Sequence, residues 1–584
     1  MESYYDRINR QQNTQDIEDV AEFYQAIDRG HLTKKLSPER PYVYFTMEVY
    51  DKTNGIKGGG GLGVLAADTR RVAETLEIPF VCVTPFYRHE YHQGIYGLDQ
   101  TESIWEVNPE EYGFEYLDDV EIYTEGMPPA RLNVFQKIFS STRFLTIGEA
   151  NFGELYAGDG SGDHRLYQEV ALGFGGYAAL KMVGLRPAVI QLNETATIFA
   201  AVARLDELVH NGMNLYEAIV YVRKHTLYTN HTLVQAAESE FSYGQFSRIV
   251  MPNIKSKALK TWLSGLFRDG RLKLSTLTIE LAEAKNGVSR LHARVADYQD
   301  VNGDKVKFRA VTNGIDLDTW VIPEIVSAYN EKGIIDKFGL PSDDYKERLN
   351  DLKIDEIRSL RKIGRERLNQ VLAHRKDQYG NPVHIPEDAT VFDFKRRFVS
   401  YKRPLMPFED ISILRRILEE NNAHYILTGK VHQGDTGMRA RLNQVLKLID
   451  GDDLLRERVH YIQDYDEELG FALAAGSDIA INNPIVGLEA CGTSFMKDIA
   501  NLKVLISTAD GGVADLSPPA CLEIVGANYE AEVKSLYEQM LRAARIVKND
   551  TWYEGQIHRQ LTGYLPVISG ARMMKDYLQL VFGK

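Results

Sequence analysis

Apolar runs alternate with segments of helical periodicity near the beginning of the chain. The apolar run 41–49 is followed by a glycine-rich stretch at 55–63, an amphipathic segment at 64–78 and a second apolar run at 79–85. Strands that are apolar throughout and separated by helices are typical of a parallel sheet covered on both faces. The pattern therefore predicts an α/β fold for this part of the chain.

A second alternation begins near residue 170. The stretches 167–184 and 194–212 have helical periodicity, whereas the short stretches 186–193 and 225–232 are predicted to be extended. The order of strands and helices predicted here repeats that of the first alternation. We expect both alternations to contribute to one N-terminal domain.

From about residue 321 to 385 the composition changes to charged helix, as in "SDDYKERLNDLKIDEIRSLRKIGRERLNQVLAHRK". Because charges of both signs alternate along it, we interpret this run as a solvated helix face that joins two domains. It ends in "DQYGNPVHIPED", which is rich in turn-forming residues.

Five short apolar strands follow the break, each with a loop and a helix after it: "ATVFDF", "AHYILTG", "RVHYIQ", "DIAINN" and "KVLIST". They predict a second doubly wound sheet, with ligand groups in the loops at the carboxyl ends of its strands. We predict two Rossmann-like domains facing across a cleft, which is a common place for a small-molecule site. The predicted ranges are 1–320 (N-terminal domain), 321–385 (helical connection), 386–560 (C-terminal domain) and 561–584 (a helix packing back on the N-terminal domain).

Composition and charge narrow the classes of function. The 584-residue chain has a formal net charge of -14, which disfavours nonspecific binding to nucleic acid or to an anionic membrane. No apolar run reaches transmembrane length, and the N-terminal "MESYYDRINRQQNTQD" has no apolar centre like that of a signal peptide. We expect a cytoplasmic protein, and the three scattered cysteines indicate neither a disulfide framework nor a metal site.

The stretch "GLEACGTSFMKDIANLK" carries the first candidate site. Thr493 is suited to cap a helix, and the small residues from Gly492 to Ser494 leave backbone N–H groups open to a phosphate. Lys497 lies four residues after Thr493, so the two share one helix face with about 6 Å between their Cβ atoms. Pyridoxal phosphate fits this spacing, with Lys497 as the Schiff-base amine; a solvated lysine on a surface helix is the alternative.

Two further patterns suit anions. A basic cluster follows "ATVFDF" and comprises Lys395, Arg396, Arg397, Lys402 and Arg403, with Tyr401 among them. Converging cations at the end of a strand suit a dianion such as phosphate, although a solvated basic turn has the same composition. The glycine run Gly58 to Gly63 allows a close approach of backbone to phosphate or sugar, or is simply a flexible loop.

Taken in order, the motifs "YFTMEV", "GGGGLGVLAAD", "QLNET", "YTNHT", "SRLH", "VTNGIDLDTW", "FKRRFVSYKR", "TGKVHQGD", "NNPIVGLEACGTSFMK" and "DGG" resemble those of the α-glucan phosphorylases in their compact form. The resemblance spans about residues 43 to 515. It implies the GT-B arrangement of two Rossmann-like domains and pyridoxal 5'-phosphate as the cofactor.

The resemblance also implies roles for individual residues. Lys497 is similar to the lysine that holds the cofactor, with Gly492 and Thr493 near the cofactor phosphate. Arg396 resembles the basic residue on that phosphate, and Arg397 and Lys402 resemble the pair that grips the substrate phosphate. The resemblance further implies that backbone N–H groups at Gly61 approach the phosphate and that Glu489, Tyr401, Cys491 and Gly492 contact the glucosyl unit. Asn193 and His231 are further candidates for a substrate contact, and for His231 a structural role, bonded to a loop carbonyl, is the alternative. Serine is usual at the position of Cys491.

The family transfers a terminal α-1,4-linked glucosyl unit to inorganic phosphate with retention and yields glucose 1-phosphate. The resemblance thus implies maltodextrin or glycogen and inorganic phosphate as partners, and a possible homodimer. The cofactor acts through its phosphate, whose second pKa of about 6 lets it give and take a proton near neutrality. Because the first predicted sheet starts so early, we expect neither the regulatory N-terminal arm of animal phosphorylases nor its phosphorylation switch.

One residue departs from the family pattern. Where the family usually has Asn-Glu/Asp-x-His, this chain has Asn193-Glu194-Thr195-Ala196. Losing one polar contact to the glucosyl unit costs about 2–3 kcal/mol in the transition state if nothing replaces it. Ala196 therefore leaves open a degenerate phosphorylase that binds glucan or regulates another protein. A nucleotide-sugar glucosyltransferase like glycogen synthase is a second alternative, because it has the same architecture.

Overall fold

A computed structural model describes residues 35–58, 60–149, 152–153, 155, 161–233, 238–432 and 434–583. Residues 1–34, which the interpretation of the N-terminus used, lie outside these ranges, as do Gly59 of the glycine run and Gln433 of "TGKVHQGD". The chain divides into two compact units. Unit 1 comprises residues 1–90, 106–311 and 573–584, and unit 2 comprises residues 91–105 and 312–572.

Unit 1 is built on a nine-stranded sheet whose strand order is β15-β14-β11-β10-β1-β4-β9-β8-β7. All neighbours pair in parallel except the edge strands β8 and β7, which add an antiparallel border. The strands are β1 (Tyr42–Thr46), β4 (Phe80–Pro85), β7 (Glu115–Ile122), β8 (Ala130–Ile138), β9 (Thr142–Gly148), β10 (Val189–Asn193), β11 (Thr226–Asn230), β14 (Ala284–Gly287) and β15 (Arg309–Ala310).

Unit 1 contains two further strand pairs outside this sheet. The chain passes from unit 1 into unit 2 and back again within a third strand pair. The three pairs are β2 (Val49–Asp51) with β3 (Ile56–Gly58), β12 (Glu240–Ser242) with β13 (Arg271–Lys273), and β5 (His89–Tyr96) with β6 (Asp99–Glu106). Residues 91–105 of the third pair belong to unit 2. There the Gln93 amide oxygen accepts a hydrogen bond of 3.0 Å from the Val431 N–H, and His92 pairs with Asp464 at 2.7 Å.

The helices of unit 1 cover both faces of its sheet and bury the central strands completely. They are α1 (Gly61–Thr75), α2 (Asp163–Val170), α3 (Gly176–Met182), α4 (Phe199–His210), α5 (Leu215–Lys224), α6 (Tyr243–Ile249), α7 (Lys257–Ser264), α8 (Leu274–Leu281) and α9 (Arg290–Val295). A π-helical turn, Ala171–Gly175, joins α2 to α3. A Cβ at Gly173 would lie 2.3 Å from that of Phe199, so only glycine allows the backbone to approach α4 so closely.

Unit 2 is built on a six-stranded, wholly parallel sheet with the order β18-β17-β16-β19-β20-β21. The strands are β16 (Thr390–Lys395), β17 (Ala423–Thr428), β18 (Val459–Ile462), β19 (Ile479–Asn482), β20 (Val504–Ser507) and β21 (Leu522–Glu523). This is the 3-2-1-4-5-6 order of a Rossmann fold, whose topological switch lies between β16 and β19. Loops that follow these two strands are therefore expected to hold ligand groups.

The helices of unit 2 alternate with these strands and precede or follow them. They are α10 (Leu317–Trp320), α11 (Pro323–Glu331), α12 (Tyr345–Arg348), α13 (Ile354–Leu372), α14 (Ile411–Glu420), α15 (Thr436–Asp450), α16 (Asp453–Arg458), α17 (Glu467–Gly476), α18 (Ser494–Ala500), α19 (Tyr529–Lys548) and α20 (Asp550–Ile568). The last helix, α21 (Gly570–Phe582), begins in unit 2 and lies mostly in unit 1. The chain returns to unit 1 within α21, where Met573, Tyr577 and Leu580 join a core cluster with Leu65 and Leu227.

The predicted α/β class with large parallel sheets is confirmed, and each strand predicted from an apolar run is present. The pattern missed β7, β8, β9, β14 and β15 of the unit 1 sheet and the two-residue strand β21, which is too short to show a periodicity. The predicted domain ranges are continuous in sequence, whereas both units are assembled from separated segments.

The interpretation of the charged run as a solvated face is wrong for two of its residues. Arg361 and Arg365 on α13 are buried and donate to carbonyl groups at the end of α17, among them that of Gly476 at 2.8 Å from Arg365. Arg365 also pairs with Asp478 at 2.6 Å. Residues four apart share one helix face, and guanidinium groups satisfy the unpaired carbonyls at a helix C-terminus. Part of the charged run thus packs inside unit 2.

No helix in the described ranges is both long enough and apolar enough to span a membrane.

Candidate functional site

The loop after β16 and the loop after β19 meet through an ion pair in unit 2. The Lys402 ammonium lies 2.9 Å from a carboxylate oxygen of Glu489, and each side chain is only 12% exposed. The Ile485 N–H donates to the Tyr401 carbonyl at 2.8 Å, which joins the two loops a second time. The structure thus brings together Tyr401, Lys402 and Glu489, although Glu489 lies 88 positions after Tyr401 in the sequence.

Gly492 belongs to the same cluster. A Cβ at Gly492 would lie 3.3 Å from a carboxylate oxygen of Glu489, so the glycine makes room for that carboxylate. Cys491 is buried next to Gly512, where an added Cβ would lie 2.8 Å from the thiol sulfur. Burial, followed by the charge of Asp515, raises the pKa of the Cys491 thiol, so it stays protonated and is not a nucleophile.

The electrostatics of the cluster favour an ionised carboxylate at Glu489. Burial alone would raise its pKa, but the charges of Lys402 and Arg396 outweigh burial, so the pKa of Glu489 lies below its ordinary value. Burial lowers the pKa of Lys402, while Glu489 opposes that change. Burial and the Glu489 charge raise the pKa of Tyr401, which keeps its hydroxyl protonated.

Arg396 and Arg397 differ in their surroundings. Arg396 is 7% exposed and donates to the side-chain oxygen of Asn482 at the end of β19. Burial lowers the pKa of Arg396, and the charges of Glu489 and Asp498 partly compensate. Arg397 is exposed, but its charge still acts on Glu489 and Lys402. The Arg396 guanidinium is therefore fixed at the switch point of the sheet, whereas the Arg397 guanidinium faces solvent.

Lys497 is buried, with 6% of its surface exposed. Its ammonium group lies 2.9 Å from the centroid of the Trp320 ring. The Trp320 carbonyl in turn accepts from the Asn501 side chain at 2.7 Å, which ties the end of α10 to α18. The alternative of a solvated lysine on a surface helix is wrong, because that alternative requires an exposed side chain and the Lys497 side chain is buried.

The predicted capping role of Thr493 is only half correct. Helix α18 begins at Ser494, directly after Thr493, and the Thr493 carbonyl accepts from the Met496 N–H at 3.2 Å. The Thr493 side chain, however, makes no capping hydrogen bond, because the residue already has helical dihedral angles (φ -90°, ψ -9°). A capping side chain needs an extended backbone at this position.

Three residues hold the loop that carries Glu489: Asp510 and Asn313, which the sequence did not single out, and Arg403, which the sequence placed in the basic cluster for a phosphate but which pairs with Glu532 and backbone carbonyls. The Asp510 carboxylate accepts from the Glu489 N–H at 2.8 Å, and Arg403 donates to the Asn483 carbonyl at 2.7 Å. Asn313 donates to the Cys491 carbonyl at 2.9 Å. All three lie in the motifs "DGG", "SYKR" and "VTNG". The motifs therefore marked these residues, but they did not reveal which groups the residues contact.

Asn193 and His231 lie together in unit 1, at the ends of β10 and β11. The His231 ring nitrogen Nε2 is 2.5 Å from the Asn193 side-chain oxygen. The Thr46 hydroxyl donates to the Glu48 carbonyl and accepts from the Asn193 amide nitrogen, so the amide oxygen must face His231. Nε2 of His231 therefore carries the proton, and Nδ1 is an acceptor.

Glu194 fixes the backbone next to this pair. Its carboxylate accepts from the His231 N–H at 2.7 Å and from the Thr232 hydroxyl at 2.8 Å. Glu194 has a φ of +73°, which is unusual for a residue with a side chain. Burial, then the charge of His292, lowers the pKa of His231 to about 3, so the ring is neutral at physiological pH.

Ala196 and Gly61 also belong to unit 1. Ala196 is 4% exposed and packs in the main core cluster of the unit. Gly61 opens α1, and a Cβ added there would meet nothing within 4 Å. The neighbouring N–H groups of Gly60 and Gly63 donate to the Glu48 carboxylate at 2.6 and 3.1 Å. Part of the glycine run is thus held by Glu48, while the surface at Gly61 is open.

The residues present fit pyridoxal phosphate. Its aldehyde requires a primary amine shielded from water, and Lys497 in unit 2 is such an amine. Its phosphate requires fixed cationic donors, and the buried Arg396 in the same unit is one. In the described part of the chain, no group of three or more His, Cys, Asp or Glu is placed to hold a metal ion.

Comparisons with known proteins agree with these observations. The profile of the family described as carbohydrate phosphorylase matches residues 185–568. The maltodextrin phosphorylase of Thermococcus litoralis is 27% identical over 94% of this chain and 71% of its own length. The glycogen phosphorylase of Mycobacterium tuberculosis is 26% identical over 89% of this chain and 68% of its own length. The glycogen phosphorylase of Aquifex aeolicus is 23% identical over 97% of this chain and 89% of its own length.

Proposed function

We infer, since the chain belongs to the carbohydrate phosphorylase family, that it transfers a terminal α-1,4-linked glucosyl unit of a maltodextrin or glycogen to inorganic phosphate. The product is glucose 1-phosphate, with the anomeric configuration retained. The single observation that carries this proposal is the burial of Lys497 against Trp320. A lysine amine that is desolvated in an apolar environment is suited to form a Schiff base with a carbonyl group.

In this proposal pyridoxal phosphate is bound covalently at Lys497, with its phosphate at Arg396 and near Gly492 and Thr493. When bound, it supplies a phosphate group whose second pKa of about 6 lets it donate and accept the proton of the reaction. Arg396 cannot take that part, because a guanidinium remains protonated in proteins. Its charge instead stabilises the phosphate groups that approach one another.

Lys402 and Glu489 change partners in this proposal. Without substrate the ammonium and the carboxylate neutralise each other at 2.9 Å. With substrate, Lys402 and Arg397 hold the incoming phosphate, and the Glu489 carboxylate accepts from hydroxyl groups of the glucosyl unit together with Tyr401, Cys491 and Gly492. The low pKa of Glu489 supports this, because the carboxylate remains an acceptor throughout the physiological range.

In unit 1, His231 contributes a neutral ring whose Nδ1 accepts from a sugar hydroxyl, held in place by Asn193. Gly61 leaves space for an anion at the start of α1. The GT-B arrangement and the homodimer that the family resemblance implies are proposed with this function.

The test uses the purified full chain, maltoheptaose and inorganic phosphate. We expect release of glucose 1-phosphate that requires phosphate, and a cofactor absorbance that borohydride reduction fixes to Lys497, as located by peptide mass. Lys497→Ala should abolish both, whereas Lys362→Ala, whose side chain is 61% exposed, should change neither.

Turnover that requires a nucleotide sugar in place of phosphate would identify a glucosyltransferase instead. Binding of maltoheptaose without turnover in either assay would identify a degenerate, glucan-binding member of the family.

A further inference from the structure

Four buried charged side chains of unit 2 form a closed ring that the proposed function does not use. Lys395 lies 2.9 Å from Asp393 and is also hydrogen-bonded to Asp498. Lys503 completes the ring at 2.5 Å from Asp393 and 2.8 Å from Asp498. Positive and negative charges alternate around the ring. The four side chains are between 0% and 4% exposed, so these charges are shielded from water.

The ring joins the two elements that carry the proposed cofactor residues. Asp393 and Lys395 are two positions apart on β16, so they share one face of the strand directly before Arg396. Asp498 follows Lys497 on α18, and Lys503 precedes β20. Adjacent residues on a helix point about 100° apart, so a fixed Asp498 also fixes the direction of Lys497.

Each of the four charged groups has at least two polar partners, and further hydrogen bonds support the ring. The Ser477 hydroxyl donates to Asp393 at 2.9 Å, and Lys503 also donates to the Leu473 carbonyl at 3.2 Å. Burial alone would raise the pKa of Asp498, but the charges of Lys395 and Lys503 outweigh it and lower the pKa to about 2. The Asp498 carboxylate therefore remains ionised, and Asp393 and Asp498 each contact both ammonium groups of the ring.

Stability alone is a poor reason for such a ring. Replacing a buried ion pair by apolar residues of similar volume is often neutral or stabilising, whereas removing one partner is costly. A fully satisfied buried polar network does, however, specify one arrangement of the elements that it connects. Apolar packing between β16 and α18 would tolerate small shifts that the alternating charges do not.

We propose that this ring is a positioning device for the cofactor site: it holds α18 against β16 so that the Lys497 amine and the Arg396 guanidinium keep one separation. The inference rests on the proposed function. The separation between Lys497 and Arg396 matters because, in that function, the cofactor is attached to Lys497 at its aldehyde end and held by Arg396 at its phosphate end. Asp393, Lys395, Asp498 and Lys503 are positioning residues in this account and touch neither cofactor nor substrate.

The test measures affinity for pyridoxal phosphate separately from stability. The cofactor is removed from the full chain, and its rebinding is followed by absorbance for the parent, Asp498→Asn and Asp498→Glu. We expect Asp498→Asn to raise the dissociation constant at least tenfold and to shift the ³¹P resonance of the bound cofactor phosphate. Asp498→Glu should restore most of the affinity.

The matched control is Asp478→Asn, which breaks the pair with Arg365 at the opposite end of β19. It should lower the melting temperature while leaving the dissociation constant and the ³¹P resonance unchanged. If Asp498→Asn does not fold, the double variant Asp498→Asn/Lys503→Met, which removes one charge of each sign, takes its place with the same expectation.

The outcomes separate the two proposals. A parent that takes up no pyridoxal phosphate overturns the proposed function and the positioning role with it. A parent that binds the cofactor, together with a folded ring variant that binds it equally well and with the same ³¹P resonance, overturns the positioning role alone.

Discussion

The ammonium group of Lys497 lies 2.9 Å from the centroid of the Trp320 ring, and both side chains are buried in unit 2. An ammonium over the face of an indole is attracted by the ring quadrupole, and more strongly when water is excluded. Trp320 thus provides both the shielding and part of the compensation for a buried amine. The pair is the basis of the first prediction.

Trp320→Leu and Lys497→Met should be coupled in a double-mutant cycle. Without cofactor, we expect a coupling free energy of about 1–2 kcal/mol, because the charge loses its desolvated aromatic partner. The measurement is the free energy of unfolding of the parent, the two single variants and the double variant by urea denaturation. Additive effects of the two substitutions would show that the contact contributes nothing.

Removing the carboxylate of Glu489 should destabilise the protein as well as inactivate it. Glu489→Gln leaves the Lys402 ammonium without its partner in a buried site, which costs about 3–5 kcal/mol. Since the folded pKa of Glu489 lies below its ordinary value, this contribution is present at neutral pH and is lost as the pH falls through the folded pKa. The difference in unfolding free energy between parent and variant should therefore shrink in acid.

A difference that stays constant from pH 7 down to the lowest pH at which both proteins fold would contradict the assignment of this pair. Glu419→Gln is a suitable control, because its pair with Arg415 is exposed on a helix and worth only about 0.5 kcal/mol.

Glu169 in unit 1 should make stability fall as the pH rises. Burial raises its pKa to about 7, although the Arg165 guanidinium at 3.1 Å opposes the change. Between the ordinary pKa of a glutamate and about 7, the folded chain binds a proton that the unfolded chain does not. The parent therefore loses stability across this range relative to Glu169→Gln, by about 2–3 kcal/mol in total.

The measurement is the unfolding free energy of both proteins from pH 4.5 to 8. The difference in unfolding free energy between the parent and Glu207→Gln, in the same unit, should change with pH in the opposite sense. The reason is that hydrogen bonds from Lys181 and Tyr177 outweigh burial and lower the pKa of Glu207. A pH-independent difference for Glu169→Gln would show that the carboxyl is not buried as described.

Gly61→Ala should separate folding from function. Because an added Cβ meets nothing within 4 Å, the unfolding free energy should change by less than about 0.5 kcal/mol. If an anion approaches the backbone at Gly61, the methyl group should lower kcat/KM for phosphate at least tenfold. Gly555→Ala, which also has open space and lies within α20, should leave kcat/KM unchanged and raise stability by about 1 kcal/mol.

An unchanged kcat/KM for phosphate in Gly61→Ala would remove Gly61 from the proposed site. Loss of stability in the same variant would instead show that the space at the start of α1 is filled.

The periodicity of the chain by itself determined the strands β1, β4, β10, β11 and β16 to β20 and the helices between them, because most of these buried strands are short segments rich in apolar residues. The motif residues Lys402, Glu489 and Lys497 were also recognisable from the sequence. Only the tertiary structure decided that Lys402 faces Glu489, that Trp320 covers Lys497 and that Arg361 is buried. The reason is physical: side-chain periodicity reports which positions avoid water, whereas the partner of a buried charge comes from a distant segment and is chosen by packing in three dimensions.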